Sequence, residues 1–196
     1  MKTAMPGFFS VYNAIAAAAI CLDYGIAPEK TGEALAFAKV KGRNECIHVP
    51  AKYDVIIDYA HNGQSFNSVI DTLSEYEHNR IIAVFGSVGD RAQLRREEMG
   101  TVSGSKCDLS VITTDDPGFE DPAAIAEEIA GFVKKAGGKY EIIPDREKAV
   151  AFALSSAGEG DIVLILGKGH EIYQKVRGEK IPYSDHEAVR KYFENN

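Results

Sequence analysis

Cysteine is sparse in this chain of 196 residues, and the three present, Cys21, Cys46 and Cys107, form no C-x-x-C pair. A scattered odd set argues against a disulfide framework and reads as reduced thiols, mostly small hydrophobes, in a cytoplasmic protein. No stretch approaches the roughly 18 apolar residues of a membrane helix. The alanine-rich run Ala14 to Leu22 is too short, and Met1-Lys2-Thr3 leads to Pro6-Gly7 rather than a secretory core. Positive charge is not in excess either. The formal net charge of -7 excludes a general nucleic-acid or membrane-surface binder, so neither partner is expected. It leaves a nucleotide open, because a few local cations and helix N-termini suffice for one phosphate chain. Finally, no G-x-x-x-x-G-K-[ST] loop occurs. Either the chain is not a complete ATP enzyme, or its phosphate cradle is on another piece.

What is present is a rhythm. An apolar fraction of 45% can form a full core in one main domain with a small appendage. Val55-Ile56-Ile57, Ile81 to Phe85, Leu109 to Ile112 and Ile162 to Leu166 are short, continuous apolar runs. Separated by helical patterns, they predict buried parallel strands in βαβ units. Further strands are predicted over 45–49 and 140–143, and a hairpin over 172–183 around Arg177-Gly178. A helix pair is expected over 8–38, with Ser10 capping the first, Tyr24-Gly25 ending it and Pro28 opening the second. Lys39 to Asn44 reads as a linker. Phe66, Val69, Ile70, Leu73 and Tyr76 share a helical face, and another helix is expected near 93–105. Asp121-Pro122 starts a helix whose core stripe is Ile125, Ile129, Phe132 and Val133; Asp145 caps the next; Ser184 with Glu187 forms a capping box for the last.

In parallel α/β sheets, ligands gather beyond the carboxyl ends of the strands. Each long run here ends in chemistry-bearing residues. Gly167-Lys168-Gly169-His170-Glu171 is not a dinucleotide fingerprint, because Ile172 holds the third glycine position and a hairpin follows. Two glycines still admit a ligand close to backbone, beside three polar side chains; the plain alternative is a tight turn with solvated charges. In Asp58-Tyr59-Ala60-His61-Asn62, His61 and Asn62 can bond a base or ribose at a phosphate-favouring helix start, or Asp58 or Asn62 simply caps the helix. Arg91, Arg95 and Arg96 follow Gly86 to Asp90 and suit phosphate or carboxylate, or else a solvated face paired with Glu97 and Glu98. Asp115-Asp116-Pro117 is a turn signal, or two carboxylates for an ammonium or a metal. The shared position of all four stretches, just past buried strands, joins them into one expected site.

Gly7 with Tyr12-Asn13, Gly42-Arg43 with Glu45, the 58–62 stretch, Gly89-Asp90-Arg91 with Arg96 and Met99-Gly100, Asp116-Pro117 with Glu120-Asp121-Pro122, and Gly167 to Glu171 recur together in one known family. Over nearly its whole length the chain closely resembles the C-terminal part of Mur ligases of the MurE type. The resemblance implies an α/β fold. Residues 1–40 would be the C-terminal helices of a central ATPase domain, and 41–196 a Rossmann-like, three-layer last domain with a mostly parallel sheet. It implies an ATP-dependent, amide-forming ligase that adds a diamino acid to UDP-N-acetylmuramoyl-L-alanyl-D-glutamate. ATP and Mg would be held mainly by the central domain, and the chain would be inactive alone, with no metal site and no catalytic residue of its own. Asn13, Arg43, Asp58, His61 and Asn62 would lie around adenine and ribose. Arg91, Asp115, Asp116, Gly167 and Glu171 would surround the incoming amino acid, with Arg91 on its α-carboxylate and Asp116 or Glu171 on an ammonium.

Three departures stand out. Diaminopimelate-adding members carry Asp-Asn-Pro-Arg, whose arginine holds the distal carboxylate; here the stretch is Asp115-Asp116-Pro117-Gly118. A glycine cannot pair with a carboxylate and Asp116 adds negative charge, so L-lysine is expected rather than meso-diaminopimelate. Lys41 stands where proline is usual, and Ala92 where an aspartate is common. The alternatives are a related ligase, such as cyanophycin synthetase or folylpolyglutamate synthase, or a non-catalytic nucleotide- or amino-acid-binding module.

Overall fold

The computed structural model describes residue 3, residues 5–90 and residues 93–195. A helix pair, α1 (Phe8–Asp23) and α2 (Pro28–Phe37), precedes the sheet. Then come β1 (Glu45–Ile47), β2 (Asp54–Asp58), α3 (Gly63–Ser74), β3 (Ile81–Phe85), α4 (Gln93–Lys106), β4 (Leu109–Ile112), α5 (Pro122–Lys135) and β5 (Tyr140–Ile142). The chain ends with α6 (Arg146–Ser156), β6 (Ile162–Leu166), β7 (Tyr173–Val176), β8 (Glu179–Pro182) and α7 (Asp185–Glu194).

The sheet order is β1-β2-β6-β3-β4-β5; every neighbouring pair is parallel except β1 with β2. Because strand side chains alternate, each central strand feeds two cores. Ile56, Ala83, Phe85, Ile112 and Leu164 pack with Phe66, Met99 and Ile129 of α3, α4 and α5. Val55, Ile57, Val84, Val111 and Ile165 pack on the other face with Ala149, Leu154 and Val189 of α6 and α7. This burial on both faces is why the strands read as unbroken apolar runs. The chain leaving β6 joins the α7 face, whereas those leaving β2 and β3 on either side of it join the α3–α4 face. β6 therefore marks the switch point where a crevice opens.

Several local readings hold. Asp121 accepts from the Ala123 amide at 3.1 Å and Asp145 from the Lys148 amide at 3.1 Å, capping α5 and α6. Arg177 and Gly178 both have positive φ, 50° and 83°, as a two-residue hairpin turn requires. Others are corrected. Ser10 lies inside α1, whose N-cap is Gly7, and its hydroxyl donates to the Pro6 carbonyl at 2.7 Å. Ser184 is the N-cap of α7 without a side-chain cap bond, and the Glu187 carboxylate that would complete a capping box pairs with Arg190 instead. Tyr76 lies past the end of α3 and is exposed.

Candidate ligand-binding rim

The carboxyl ends of β2, β6, β3 and β4 bring four loops onto one rim. The Gly167 amide donates to the Asp58 carbonyl at 3.1 Å, and the Gly89 amide to the Asp116 carbonyl at 2.8 Å. A Cβ on Gly86 would collide with the Thr113 carbonyl, and one on Gly89 with that of Pro117, so these loops meet backbone to backbone. The β7–β8 hairpin clamps the rim from outside: the Gln174 side-chain Nε2 donates to the Thr114 and Asp115 carbonyls at 3.0 and 3.1 Å.

At the centre stands Lys168, its side chain wholly out of solvent. Its Nζ lies 2.6 Å from Glu171 Oε2, 2.7 Å from Asp116 Oδ1 and 3.7 Å from Asp115 Oδ1. Burial opposes its charge, but Asp115, Asp116 and Glu171 outweigh burial and hold its pKa above the ordinary value. Burial raises the Asp115 pKa despite nearby Arg146 and Lys168. Three carboxylates against one ammonium leave this clasp net negative, and Asp116 and Glu171 keep some access to solvent. Asp116 and Glu171, one or the other of which the resemblance sets against an incoming ammonium, already share the protein's own in Lys168. Beneath lies a second buried pair. Arg146 donates to Asp185 at 2.8 and 3.0 Å and to the Leu166 carbonyl at 2.8 Å, while the Tyr183 hydroxyl donates to Asp185 at 2.8 Å. It ties the start of α6, the end of β6 and the start of α7 together, directly under the rim. No sequence signal distinguished Arg146 from an ordinary first-turn residue, or Lys168 from a solvated loop charge.

On the other side of the rim a cleft of about 730 Å³ opens between the helix pair and α3. Asn13, Arg43, Asp58 and Asn62 line it, with Ser65, Ser68 and Val69 of α3. That volume lies within the usual range for small-molecule pockets. Asp58 accepts from the Asn44 and Ala60 amides at 2.6 and 2.7 Å, yet burial keeps its pKa above the ordinary value. His61 is not among these lining residues; its Nδ1 contacts the Tyr59 carbonyl at 2.8 Å and its ring packs on Tyr59. Asn62 does cap α3, exchanging bonds with Ser65 in a capping box. The α3 N-terminus is not free for phosphate, because the Gly63 amide donates to Glu98 at 3.1 Å. The cleft offers side-chain donors and acceptors and no phosphate cradle at that helix.

Tyr59 links the two regions. The Arg43 guanidinium lies 4.6 Å from its ring centroid, and its hydroxyl donates to Glu171 at 3.3 Å. Gly42 and Gly169, both at positive φ, press together behind it. Arg91 lies outside the described residues. Arg96, weighed for a phosphate or carboxylate, is instead buried between Glu120 and Glu128, at 2.8 and 2.7 Å. Among the described residues no group of three or more His, Cys, Asp or Glu side chains is arranged to hold a metal ion. No described helix is long and apolar enough to cross a membrane.

The parallel sheet, the switch point at β6 and the helices on both faces define an α/β domain of the doubly wound class. Residues 42–169 match the family model described as Mur ligase, glutamate ligase domain, and the chain belongs to the Mur ligase family. It is 40% identical over 186 residues to the UDP-N-acetylmuramoyl-L-alanyl-D-glutamate--2,6-diaminopimelate ligase of Caldanaerobacter subterraneus subsp. tengcongensis, covering 95% of this chain and 39% of that protein. It is 39% identical over 189 residues to the corresponding L-lysine ligase of Streptococcus sanguinis, covering 95% of this chain and 39% of that one. A solved 2,6-diaminopimelate ligase structure superposes with a TM-score of 0.75 at 30% identity, covering 100% of this chain and 40% of that one. The chain thus spans about two fifths of the length of these relatives.

Proposed function

We propose that this chain is the C-terminal, amino-acid- and nucleotide-contacting domain of a MurE-type ligase. Such an enzyme spends ATP to add a diamino acid to UDP-N-acetylmuramoyl-L-alanyl-D-glutamate. Residues 1–40 belong, in this reading, to the central ATPase domain, and the large apolar side chains left exposed on α1 and α2, Phe8, Tyr12 and Phe37 among them, support that assignment. The observation that carries the proposal is the adjacency of a nucleotide-sized cleft and an acidic clasp on one rim, joined through Tyr59 and Glu171. Arg43, Asp58, Asn62 and Asn13 serve the adenosine end; His61 acts by packing on Tyr59. The phosphates and Mg fall to the rest of the enzyme, in keeping with the blocked α3 N-terminus. In the reaction the substrate carboxylate takes the γ-phosphoryl group of ATP and releases ADP. The amine then attacks the acyl carbon, the amide forms, and phosphate and a proton leave. The rim's part is positioning and charge balance.

Within this reading the diamino acid is L-lysine. The clasp is net negative, and Gly118, where a diaminopimelate-adding relative would carry arginine, has φ 60° and presses on the Asp90 carboxylate. Both features favour a distal ammonium over a distal carboxylate. The test is competition: the complete enzyme is given ATP, the nucleotide dipeptide and equal L-lysine and meso-diaminopimelate. Preferential lysine incorporation is expected; preferential diaminopimelate incorporation overturns the assignment, and incorporation of neither, with no ADP formed, overturns the ligase reading.

A further inference from the structure

We infer that Tyr59 is a positioning residue that couples the nucleotide side of the rim to the acidic clasp; the inference deepens the ligase reading and rests on it. Tyr59 follows Asp58 at the end of β2 and is half-buried. One face of its ring meets the Arg43 guanidinium, 4.6 Å from the centroid, an attraction of cation to π cloud. Its hydroxyl donates to Glu171 Oε1 at 3.3 Å. Glu171 gives its other oxygen to Lys168 at 2.6 Å, and the same ammonium reaches Asp116 at 2.7 Å. A continuous chain of contacts therefore runs from a residue lining the cleft to both accessible carboxylates of the clasp.

The ring has little room to move independently. His61 and His170 pack against it, with centroids 4.9 and 5.5 Å away. Gly169 approaches so closely that a Cβ there would sit 2.8 Å from the Tyr59 Cβ. Drawing Arg43 toward a bound nucleotide removes the cation from the ring face. The hydroxyl's hold on Glu171 then changes, and with it the division of Lys168 among three carboxylates. Glu171 presents an incoming ammonium only the acceptor directions that Tyr59 and Lys168 leave open. Tyr59 touches neither reacting group in this scheme; it sets where Glu171 points.

Tyr59→Phe keeps the ring and its packing and deletes the hydroxyl. The first measurement is NMR of the chain with 15N-labelled arginine and lysine, titrated with millimolar ADP. The Arg43 amide and the Lys168 ammonium are expected to shift together in the parent protein. In Tyr59→Phe the Arg43 shift persists and the Lys168 shift is at least halved. An Arg43 response with a silent Lys168, or an equal Lys168 response in the variant, overturns the coupling alone. A silent Arg43 removes the nucleotide reading and the coupling together. The second measurement is kinetic, on the complete ligase. Losing one hydrogen bond to a charged acceptor is expected to raise the KM for the diamino acid about tenfold, with the KM for ATP within about twofold. Equal rises in both KM values would mark a merely structural role.

Discussion

Lys168 and Asp116 form an ion pair at 2.7 Å, with the lysine side chain at 0% exposure and the aspartate at 15%. A buried pair of this kind is weak evidence for net stability, because desolvation offsets the attraction, but losing one partner strands the other. Lys168→Met keeps the apolar stem and strands three carboxylates. Breaking a buried pair costs about 3–5 kcal/mol, and the partial solvation of Asp116 and Glu171 puts the expected loss near the lower end. Urea unfolding at neutral pH measures it; an unchanged midpoint would mean that the carboxylates are relieved of their stranded charge, by solvent or by protonation.

Asp161 gives the acid limb of stability a defined direction. Burial works against its charge, but the Arg80 side chain, at 2.5 Å, and the Gly158 amide, at 2.8 Å, hold its pKa below the ordinary 3.8. A carboxylate lowered in the folded state adds stability above its unfolded pKa and loses it as pH falls through the folded value. Asp161→Asn is therefore expected to lower stability at pH 7 by about 1 kcal/mol, kept small by the half-exposed Arg80. The difference should close as pH falls below 3.8. Thermal unfolding over an acid series reads it, and a gap that widens on acidification would contradict the assignment.

Gly118→Arg, introduced alone, is expected to abolish amino-acid addition by the complete ligase rather than switch it to diaminopimelate. The residue's φ of 60° disfavours any side chain, and a Cβ would run into the Asp90 carboxylate. Gly118 also bonds the β7 hairpin at both its amide and its carbonyl, so the strain passes to the clamp over Asp115. Incorporation assays with each diamino acid decide it; efficient diaminopimelate addition by the single variant would show that the loop can relax.

Cys107 is buried beside α4, and burial pushes its thiol up to about 12. Thiolate, not thiol, reacts. Titration with a disulfide reagent at pH 8 is expected to modify exposed Cys46 in the folded protein and Cys107 only after denaturant is added. Modification of Cys107 at the same rate as Cys46 would show that α4 opens readily.

The strands were legible because burial on both faces leaves unbroken apolar runs such as Ile162 to Leu166, and because a parallel sheet sends such runs to one edge. Helix starts were legible where a cap is purely local, as at Asp121 and Asp145. They were not where another local partner competes: Glu187 turns to Arg190 three residues on, and the Pro6 carbonyl four residues back draws the Ser10 hydroxyl inside α1. Arg96 was undecided in sequence because its partners, Glu120 and Glu128, are more than twenty residues away. Lys168 hid for the same reason: a lysine between two glycines looks like a solvated turn until Asp115 and Asp116 arrive from another strand. The residues of the rim were nameable; which of them satisfy each other was not.

Gly42 and Gly169 touch through main chain alone, the amide of His170 filling the place where a Gly42 side chain would stand. Side chains normally cushion one loop against another by changing rotamer, and here that cushion is missing. Any swing of the 39–44 segment must be transmitted rigidly into the loop after β6, or else halted by it. The joint beside the cleft is consequently stiff, because neither glycine carries a side chain that could yield.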